Sequence, residues 1–192
     1  MEMGKYFDLI IRKVTWKKAI IFSLPFVFLF ALINFSGVGV AGLLKITGGA
    51  NILDAEFGYT QEEALEKLTE LGERGREFYL NRIVPIDFPF PFSFMLFFTV
   101  WISLLLKQIK LENLWKYTLF LPPLAMLSDW IENIGEIVML KNYPDLPSWA
   151  SFIGSISGIL KIILVLMNLM TILILIIVFV IRKKLEKEPY GT

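Results

Sequence analysis

Hydrophobic residues are concentrated in four long runs, which are separated by shorter charged or proline-rich segments. The runs predict helices at about residues 19–40, 88–106, 117–140 and 155–181. Each is close to the ~20 residues that a helix needs to cross a bilayer core of about 30 Å. Helices are expected because hydrocarbon offers no other partner to backbone N–H and C=O groups. The pattern therefore predicts an all-α, polytopic membrane protein in which residues 1–192 form a single four-helix bundle.

The segment between the first two runs, about residues 45–87, is too long for a simple connection. Thr60 and Glu63 match a capping box, which marks the start of a helix. The residues that follow form one apolar stripe, made of Ala64, Leu65, Leu68 and Leu71. A second short helix is expected over residues 77–84, ending before Pro85, because the residue before a proline disfavours the α conformation. The segment is therefore predicted to form a small extracytoplasmic helical cap.

Prolines predict two departures from regular helix. Pro85, Pro89 and Pro91 precede the second span and predict an extended entry into it. Pro122 and Pro123 lie inside the third predicted span. A proline inside a helix removes a backbone hydrogen bond, so this pair predicts a kink.

Basic residues flank the spans at three places. They lie at the N-terminus, between the second and third spans, and at the C-terminus: Lys5, Arg12, Lys13, Lys17 and Lys18; Lys107, Lys110 and Lys116; Arg182, Lys183, Lys184 and Lys187. Four spans put all three groups on one side, and the positive-inside rule makes that side the cytoplasm. The predicted location is the inner or plasma membrane, multi-pass, with both termini cytoplasmic. A shared stripe also predicts either an interfacial helix or a frayed tail before the first span, from Phe7, Ile10, Ile11 and Val14.

Composition restricts the chemistry that the chain can perform. The 192 residues include no cysteine and no histidine, which excludes disulfides, thiol nucleophiles, thiolate zinc sites and histidine acid–base catalysis. The net charge of +1 indicates no general attraction to nucleic acid, which is not expected as a partner. No nucleotide-binding or metal-binding motif occurs, so no cofactor and no dedicated metal site are predicted.

The third predicted span contains three acids, which are unusual in a membrane-spanning segment. Asp129, Glu132, Asn133 and Glu136 fall on one face of a helix. A charged side chain at mid-bilayer costs on the order of 3 kcal/mol on insertion scales. The face is therefore expected to point into the bundle or into a wet cavity, as part of a ligand-binding pocket that opens outward.

The fourth span offers a counter-charge. Lys161 follows Gly154 and Gly158, whose small-xxx-small spacing favours close helix packing. We therefore expect Lys161 to contact Glu132 or Glu136 rather than to extend to the surface. One lysine cannot neutralise three acids, so at least one acid is expected to be protonated or to bind a cation.

Four further residues complete the predicted ligand-binding set. Asp87 precedes the second span, and Arg82 is near enough in sequence to form an ion pair with it. Arg76 and Tyr79 of the cap are placed to orient the polar head of a ligand. These four join the acidic face and Lys161 as candidate binding residues.

Two short motifs carry a resemblance. One is Asp-x-x-Glu-Asn, formed by Asp129, Glu132 and Asn133, and the other is a Gly-Arg-x-x-Tyr-like element at residues 75–79; Asp87 accompanies them. In these features the chain resembles a group of uncharacterised prokaryotic four-span membrane proteins, which implies architecture and candidate positions but no activity. It is also similar in span number and buried carboxylates to the four-helix sterol isomerase and sigma-2 receptor fold, although the histidine that the isomerase uses has no counterpart here.

Three classes of function stay open on the sequence. The pocket could bind a small ligand, a cation or a membrane lipid, as a binding or transport protein. The acids could instead serve an intramembrane lipid-modifying enzyme, with Glu132 as acid and Asp129 as base. Alternatively, the chain is a structural or accessory subunit whose polar residues fix helix registry in a homodimer or a larger membrane complex.

Overall fold

The computed structural model describes residues 2–111 and 114–185, and this part of the chain is helical without a strand. Lys187, counted above among the C-terminal basic residues, lies outside the described residues. The helices are α1 (Glu2–Lys13), α2 (Trp16–Phe35), α3 (Val40–Thr47), α4 (Gln61–Glu70), α5 (Gly72–Phe78), α6 (Val84–Asp87), α7 (Phe90–Ile109), α8 (Leu121–Asn142) and α9 (Ser148–Leu185). Two 3₁₀ segments (Leu53–Ala55 and Leu114–Phe120) and one π-helical segment (Tyr79–Ile83) connect them.

Three segments are long and apolar enough to cross a membrane: Trp16–Thr47, Gly72–Ile109 and Ser148–Leu185. They contain the first, second and fourth predicted spans. The third predicted span corresponds to α8, which has 22 residues but carries its three acids and Lys141. α8 is long enough to cross a membrane, and it differs from the other three segments in its charged residues.

The long helices pack side by side, and α8 and α9 form the most extensive pair. α7 packs against α2, α8 and α9, whereas α2 packs mainly against α7. Small residues permit the close approach of α8 and α9. A Cβ atom added to Gly135 would lie 2.9 Å from the Ala150 carbonyl oxygen and 3.0 Å from the Gly154 Cα. The predicted role of Gly154 in close packing is therefore confirmed.

The basic segments lie together at one end of the molecule. Residues 2–13 form a helix, which was one of the two predicted alternatives, and Phe7 and Ile11 of α1 are buried together with Val14 just after it. The Lys107 ammonium donates to the carbonyl of Val14 (2.8 Å), and Lys116 forms an ion pair with Asp8 (2.9 Å). These contacts join α1 and Val14 to the end of α7 and to the 3₁₀ segment before α8.

The cap lies at the opposite end of the molecule. Its capping box is confirmed, because the Thr60 side chain accepts from the Glu63 N–H while the Glu63 carboxylate accepts from the Thr60 N–H. The predicted apolar stripe supplies Ala64, Leu68 and Leu71 to a core that the cap shares with the ends of α8 and α9. Two hydrogen bonds tie the cap down: the Tyr59 N–H donates to Ser155 Oγ (2.8 Å) and the Gln61 amide donates to the Leu146 carbonyl (2.8 Å).

The predictions from proline were wrong at both places. The chain does not become extended near Pro85, because α5, the π-helical segment, α6 and α7 follow one another almost without interruption. Pro85 and Pro91 occupy the first turns of α6 and α7, where a missing N–H costs nothing. Pro122 and Pro123 likewise lie in the first turn of α8 rather than kink it, so the helix that was predicted to begin at residue 117 begins at Leu121.

α9 is continuous for 38 residues, which corresponds to about 57 Å. Residues 148–154 extend it beyond the predicted start of the span at residue 155, and Lys161 does not interrupt it. The additional turns reach the cap, where α9 contacts α4.

Candidate acidic cavity

Lys161 is the centre of a cluster of charged side chains inside the helix assembly. Its ammonium contacts the carboxylate of Asp54, lies 2.7 Å from Glu132 Oε2, and lies 4.0 Å from Asp129 Oδ1. The predicted contact with Glu132 is thus confirmed, and extension of Lys161 to the surface is excluded because its side chain is only 12% exposed. This contact is an ion pair, and Glu132 Oε2 accepts no hydrogen bond from the described residues.

Close packing of α8 and α9 places Glu132 against Lys161. A Cβ atom on Gly158 would overlap the Glu132 carboxylate, so glycine leaves the space in which that group lies. Glu132 and Asn133 are buried, whereas Asp129 is 13% exposed and faces a cavity. The helical periodicity therefore identified the inward face of α8 correctly.

Carboxylate oxygens of Asp54, Asp129 and Glu132 lie within 4.8 Å of one another. Oxygen ligands at this spacing suit a hard cation such as Mg²⁺ or Ca²⁺. The Lys161 ammonium already lies against all three groups, so a metal ion would have to displace it.

Glu136 belongs to a second, more deeply buried contact. The Tyr79 hydroxyl donates a 2.6 Å hydrogen bond to Glu136 Oε2, and both side chains are buried. Tyr59 of the cap lies nearby, and its hydroxyl has no hydrogen-bond partner among the described residues. Burial, with Glu136 and Glu132 near it, raises the pKa of the Tyr59 hydroxyl well above its ordinary value, so the group stays protonated.

A cavity of about 430 Å³ adjoins this charged cluster. Its polar end is formed by Asp54, Asp87, Asp129 and Lys161. Its remaining wall is apolar and consists of aliphatic residues between Ile162 and Leu169 of α9, of Ala125, and of five rings: Phe26, Phe30, Phe90, Phe94 and Phe98. The volume falls within the ~300–1,000 Å³ range of small-molecule sites.

Side chains of both α2 and α9 line the cavity. Among them, Phe30 on α2 and Leu166 and Leu169 on α9 are also exposed on the surface of the molecule. α2 and α9 are not among the extensively packed helix pairs of the described chain. The route into the cavity is therefore bordered by hydrocarbon side chains.

Asp87 lies at the cavity wall, as predicted, but its expected partner does not. Arg82 is exposed and forms no ion pair among the described residues, so the predicted Arg82–Asp87 pair was wrong. The π-helical segment begins at Tyr79 and includes Arg82, which shifts the register between Arg82 and Asp87. Asn133 is the polar neighbour of Asp87 instead, although no described residue accepts a hydrogen bond from its Nδ2.

Arg76 also lies away from the cavity. Its guanidinium donates to the Leu68 carbonyl (2.7 Å) and stacks 3.7 Å above the Tyr143 ring. It therefore closes the C-terminal end of α4, and the structure does not bring it to the predicted ligand site. Tyr79 does reach the acidic cluster, through Glu136.

Two residues of this site were missed from the sequence. Asp54 and Tyr59 come from the segment before α4, which has no regular hydrophobic period. The path of this segment over α9 could therefore not be predicted from the sequence. The excess of acids over Lys161 gave no signal for either residue, because it called for a further cation rather than for another acid or a tyrosine.

Searches of protein families, curated proteins and solved structures find no match to this chain. The resemblance to the four-span group therefore stays a prediction.

The Tyr79–Glu136 hydrogen bond can be tested with a matched pair of tyrosines. Replacing Tyr79 with Phe leaves Glu136 buried without its donor, which we expect to lower the free energy of unfolding by about 1–3 kcal/mol. Tyr59→Phe removes a hydroxyl that has no partner and should change stability little. Chemical denaturation of both variants in detergent measures the difference, and equal losses would contradict the assignment.

Proposed function

We propose that the chain is a four-span membrane protein whose cavity binds a positively charged amphiphile. In this arrangement α2, α7, α8 and α9 cross the membrane, with the basic end in the cytoplasm and the cap outside. The apolar composition of α2, α7 and α9 supports the crossing. The acids of α8 are compatible with it because they point towards α9 and the cavity rather than outward.

The imbalance of charge at the closed end of an apolar cavity carries the proposal. Three carboxyl groups and one ammonium line this end. Lys161 contacts Asp54 and Glu132 closely, whereas its ammonium lies 4.0 Å from Asp129 Oδ1. Asp87 has no cationic partner among the described residues. Asp87 and Asp129 are therefore available to pair with the cationic head group of a ligand, which would relieve their burial cost.

The apolar wall of the cavity would contact the hydrocarbon part of the ligand. Five phenylalanine rings and the aliphatic face of α9 offer contact area for a hydrocarbon chain, while the polar groups are confined to one end. We infer that such a ligand enters from the bilayer between α2 and α9, because the cavity-lining side chains of Phe30, Leu166 and Leu169 are also exposed there. A molecule with a single ammonium group and one alkyl chain meets both requirements.

A metal ion is a second candidate ligand, because the oxygens of Asp54, Asp129 and Glu132 are close enough to bind one. It would have to compete with the Lys161 ammonium. The apolar wall of the cavity would have no part in that binding, so the amphiphile uses more of the observed geometry.

Three probes of equal chain length separate these alternatives. Decylammonium, decanol and decanoate would be added to the purified protein in detergent, and binding would be measured by calorimetry and by the shift in melting temperature. Decylammonium should bind most tightly and decanoate least. Asp129→Asn and Asp87→Asn should each weaken decylammonium binding by roughly 10- to 100-fold, the loss expected when a charged partner is removed.

Asp145→Asn is the matched control, because Asp145 is an exposed acid away from the cavity and its replacement should leave binding unchanged. Equal binding of decanol and decylammonium, or unchanged binding by Asp129→Asn, would contradict the proposal and favour a structural role for the acids. Stabilisation by Mg²⁺ or Ca²⁺, lost in Asp129→Asn, would favour the metal ion instead.

A further inference from the structure

A second groove lies at the basic end of the molecule, far from the acidic cavity. It is formed where α1 meets α2 and has a volume of about 240 Å³. We call it the α1–α2 groove. Its apolar wall is made of Leu9, Ile10, Val14, Phe22 and Val100. Val14 and Val100 are buried at its floor, whereas Leu9, Ile10 and Phe22 are exposed along its sides.

Two lysines form the charged part of this groove. Lys13 ends α1 and Lys18 lies in the first turn of α2, and both are exposed. The Lys18 ammonium donates to the Lys13 carbonyl (2.9 Å), which places its charge over the bend between the two helices. Among the described residues no acid lines the groove, and Asp8, the acid of α1 nearest to it in sequence, is paired with Lys116. The two lysines therefore place positive charge beside an apolar surface, without an acidic partner in the described part of the chain.

Aromatic residues place the groove at the level of a membrane interface. Trp16 begins α2, is 49% exposed, and packs edge-to-face against Trp101 with ring centroids 6.0 Å apart. Exposed tryptophan beside lysine is typical of the boundary between hydrocarbon and head groups. Tyr6 extends the exposed apolar side of α1 at the same end.

We infer that the α1–α2 groove binds an anionic phospholipid of the surrounding membrane. The phosphate would lie between Lys13 and Lys18, and one acyl chain would lie along Ile10, Phe22 and Val100. The attraction is electrostatic at the head group and apolar along the chain, which selects an anionic lipid over a neutral one. The inference rests on the proposed membrane crossing but is independent of any ligand in the acidic cavity.

Tryptophan fluorescence tests the site locally, because Trp16 and Trp101 lie beside it. A parent variant with Trp115, Trp130 and Trp149 replaced by Phe would be reconstituted in bilayers containing brominated phosphatidylglycerol or brominated phosphatidylcholine. The anionic lipid should quench the remaining fluorescence at a lower mole fraction than the neutral lipid. The double variant Lys13→Gln, Lys18→Gln should reduce that preference by roughly 10- to 30-fold, because each lysine near an anionic head group contributes about 1 kcal/mol.

The matched control replaces Lys45 and Lys141, two exposed lysines at the cap end, and should keep the preference. Folding of the double variant is expected to survive, because Lys107 independently binds the carbonyls of Arg12 and Val14 at the same bend. Equal quenching by both lipids, or a preference that persists without Lys13 and Lys18, would overturn the inference. Quenching by neither lipid would overturn the membrane crossing together with it, whereas failure of alkylammonium binding would leave this result unaffected.

Discussion

Replacing Lys161 with Met should cost this protein more stability than replacement of any other single charged side chain. The substitution keeps a long apolar stem but removes the ammonium from contact with Asp54, Asp129 and Glu132. Breaking one side of a buried ion pair typically costs about 3–5 kcal/mol, because the remaining charge is left without a partner. A value near the lower end is expected in a membrane, where polar groups also find partners in the unfolded state.

A second substitution identifies which acid is left unpaired. Glu132→Gln in the Lys161→Met background should restore much of the lost stability. Glu132 is 1% exposed, so among the acids that contact Lys161 its unpaired charge is the most destabilising. Glu136→Gln should not restore it, because Glu136 is hydrogen-bonded to Tyr79 and does not contact Lys161. Chemical denaturation in detergent would measure all of these variants, with the exposed Lys141→Met as the control. Unchanged stability of Lys161→Met would refute the central role of this lysine.

Gly135→Leu should separate α8 from α9 and cause the second large loss. The first added carbon would already lie 2.9 Å from the Ala150 carbonyl oxygen and 3.0 Å from the Gly154 Cα, and backbone atoms cannot turn aside as a flexible side chain can. Additional methylene groups in a packed core cost about 1–3 kcal/mol, and a branched side chain against a backbone should exceed that range.

The effect should reach the charged cluster as well as the overall stability. Lys161 is on α9 and Glu132 is on α8, so moving the helices apart lengthens their 2.7 Å contact. Melting temperature and decylammonium binding should therefore both fall. Gly37→Leu is the matched control, because no atom lies within 4 Å of a Cβ added there. If Gly135→Leu and Gly37→Leu melt at the same temperature, the close approach of α8 and α9 is not required.

Local features of this chain could be inferred from the sequence because they depend on neighbours in sequence. The capping box of Thr60 and Glu63 needs only residues three apart, and it is present. The acidic face of α8 follows from helical periodicity. One counter-charge beside a glycine pair predicted that Lys161 contacts either Glu132 or Glu136, and the structure shows Glu132. The hydropathy runs also located the long helices, although α9 begins at Ser148 rather than at residue 155 and α2 ends at Phe35 rather than at residue 40.

Proline was a poor guide because its effect depends on where each helix begins. Pro122 would break the interior of a helix, but in the first turn of α8 it removes no hydrogen bond. The sequence does not state that Leu114–Phe120 forms a 3₁₀ segment before that turn. The π-helical segment from Tyr79 to Ile83 similarly changes which side chains face each other, and it separates Arg82 from Asp87.

The sequence by itself determined an all-helical chain, an inward acidic face on α8 and a requirement for a positive partner, since burial of several acids in an apolar helix is costly without one. Only the tertiary structure decided that Asp54 shares Lys161 with Glu132, that Tyr79 binds Glu136, and that the charged cluster forms one end of an apolar cavity. The Tyr79–Glu136 contact joins residues 57 positions apart in the chain, and the Asp54–Lys161 contact joins residues 107 positions apart. Their formation depends on how the cap crosses α9 and how closely α8 and α9 pack, and no local pattern of residue types specifies either.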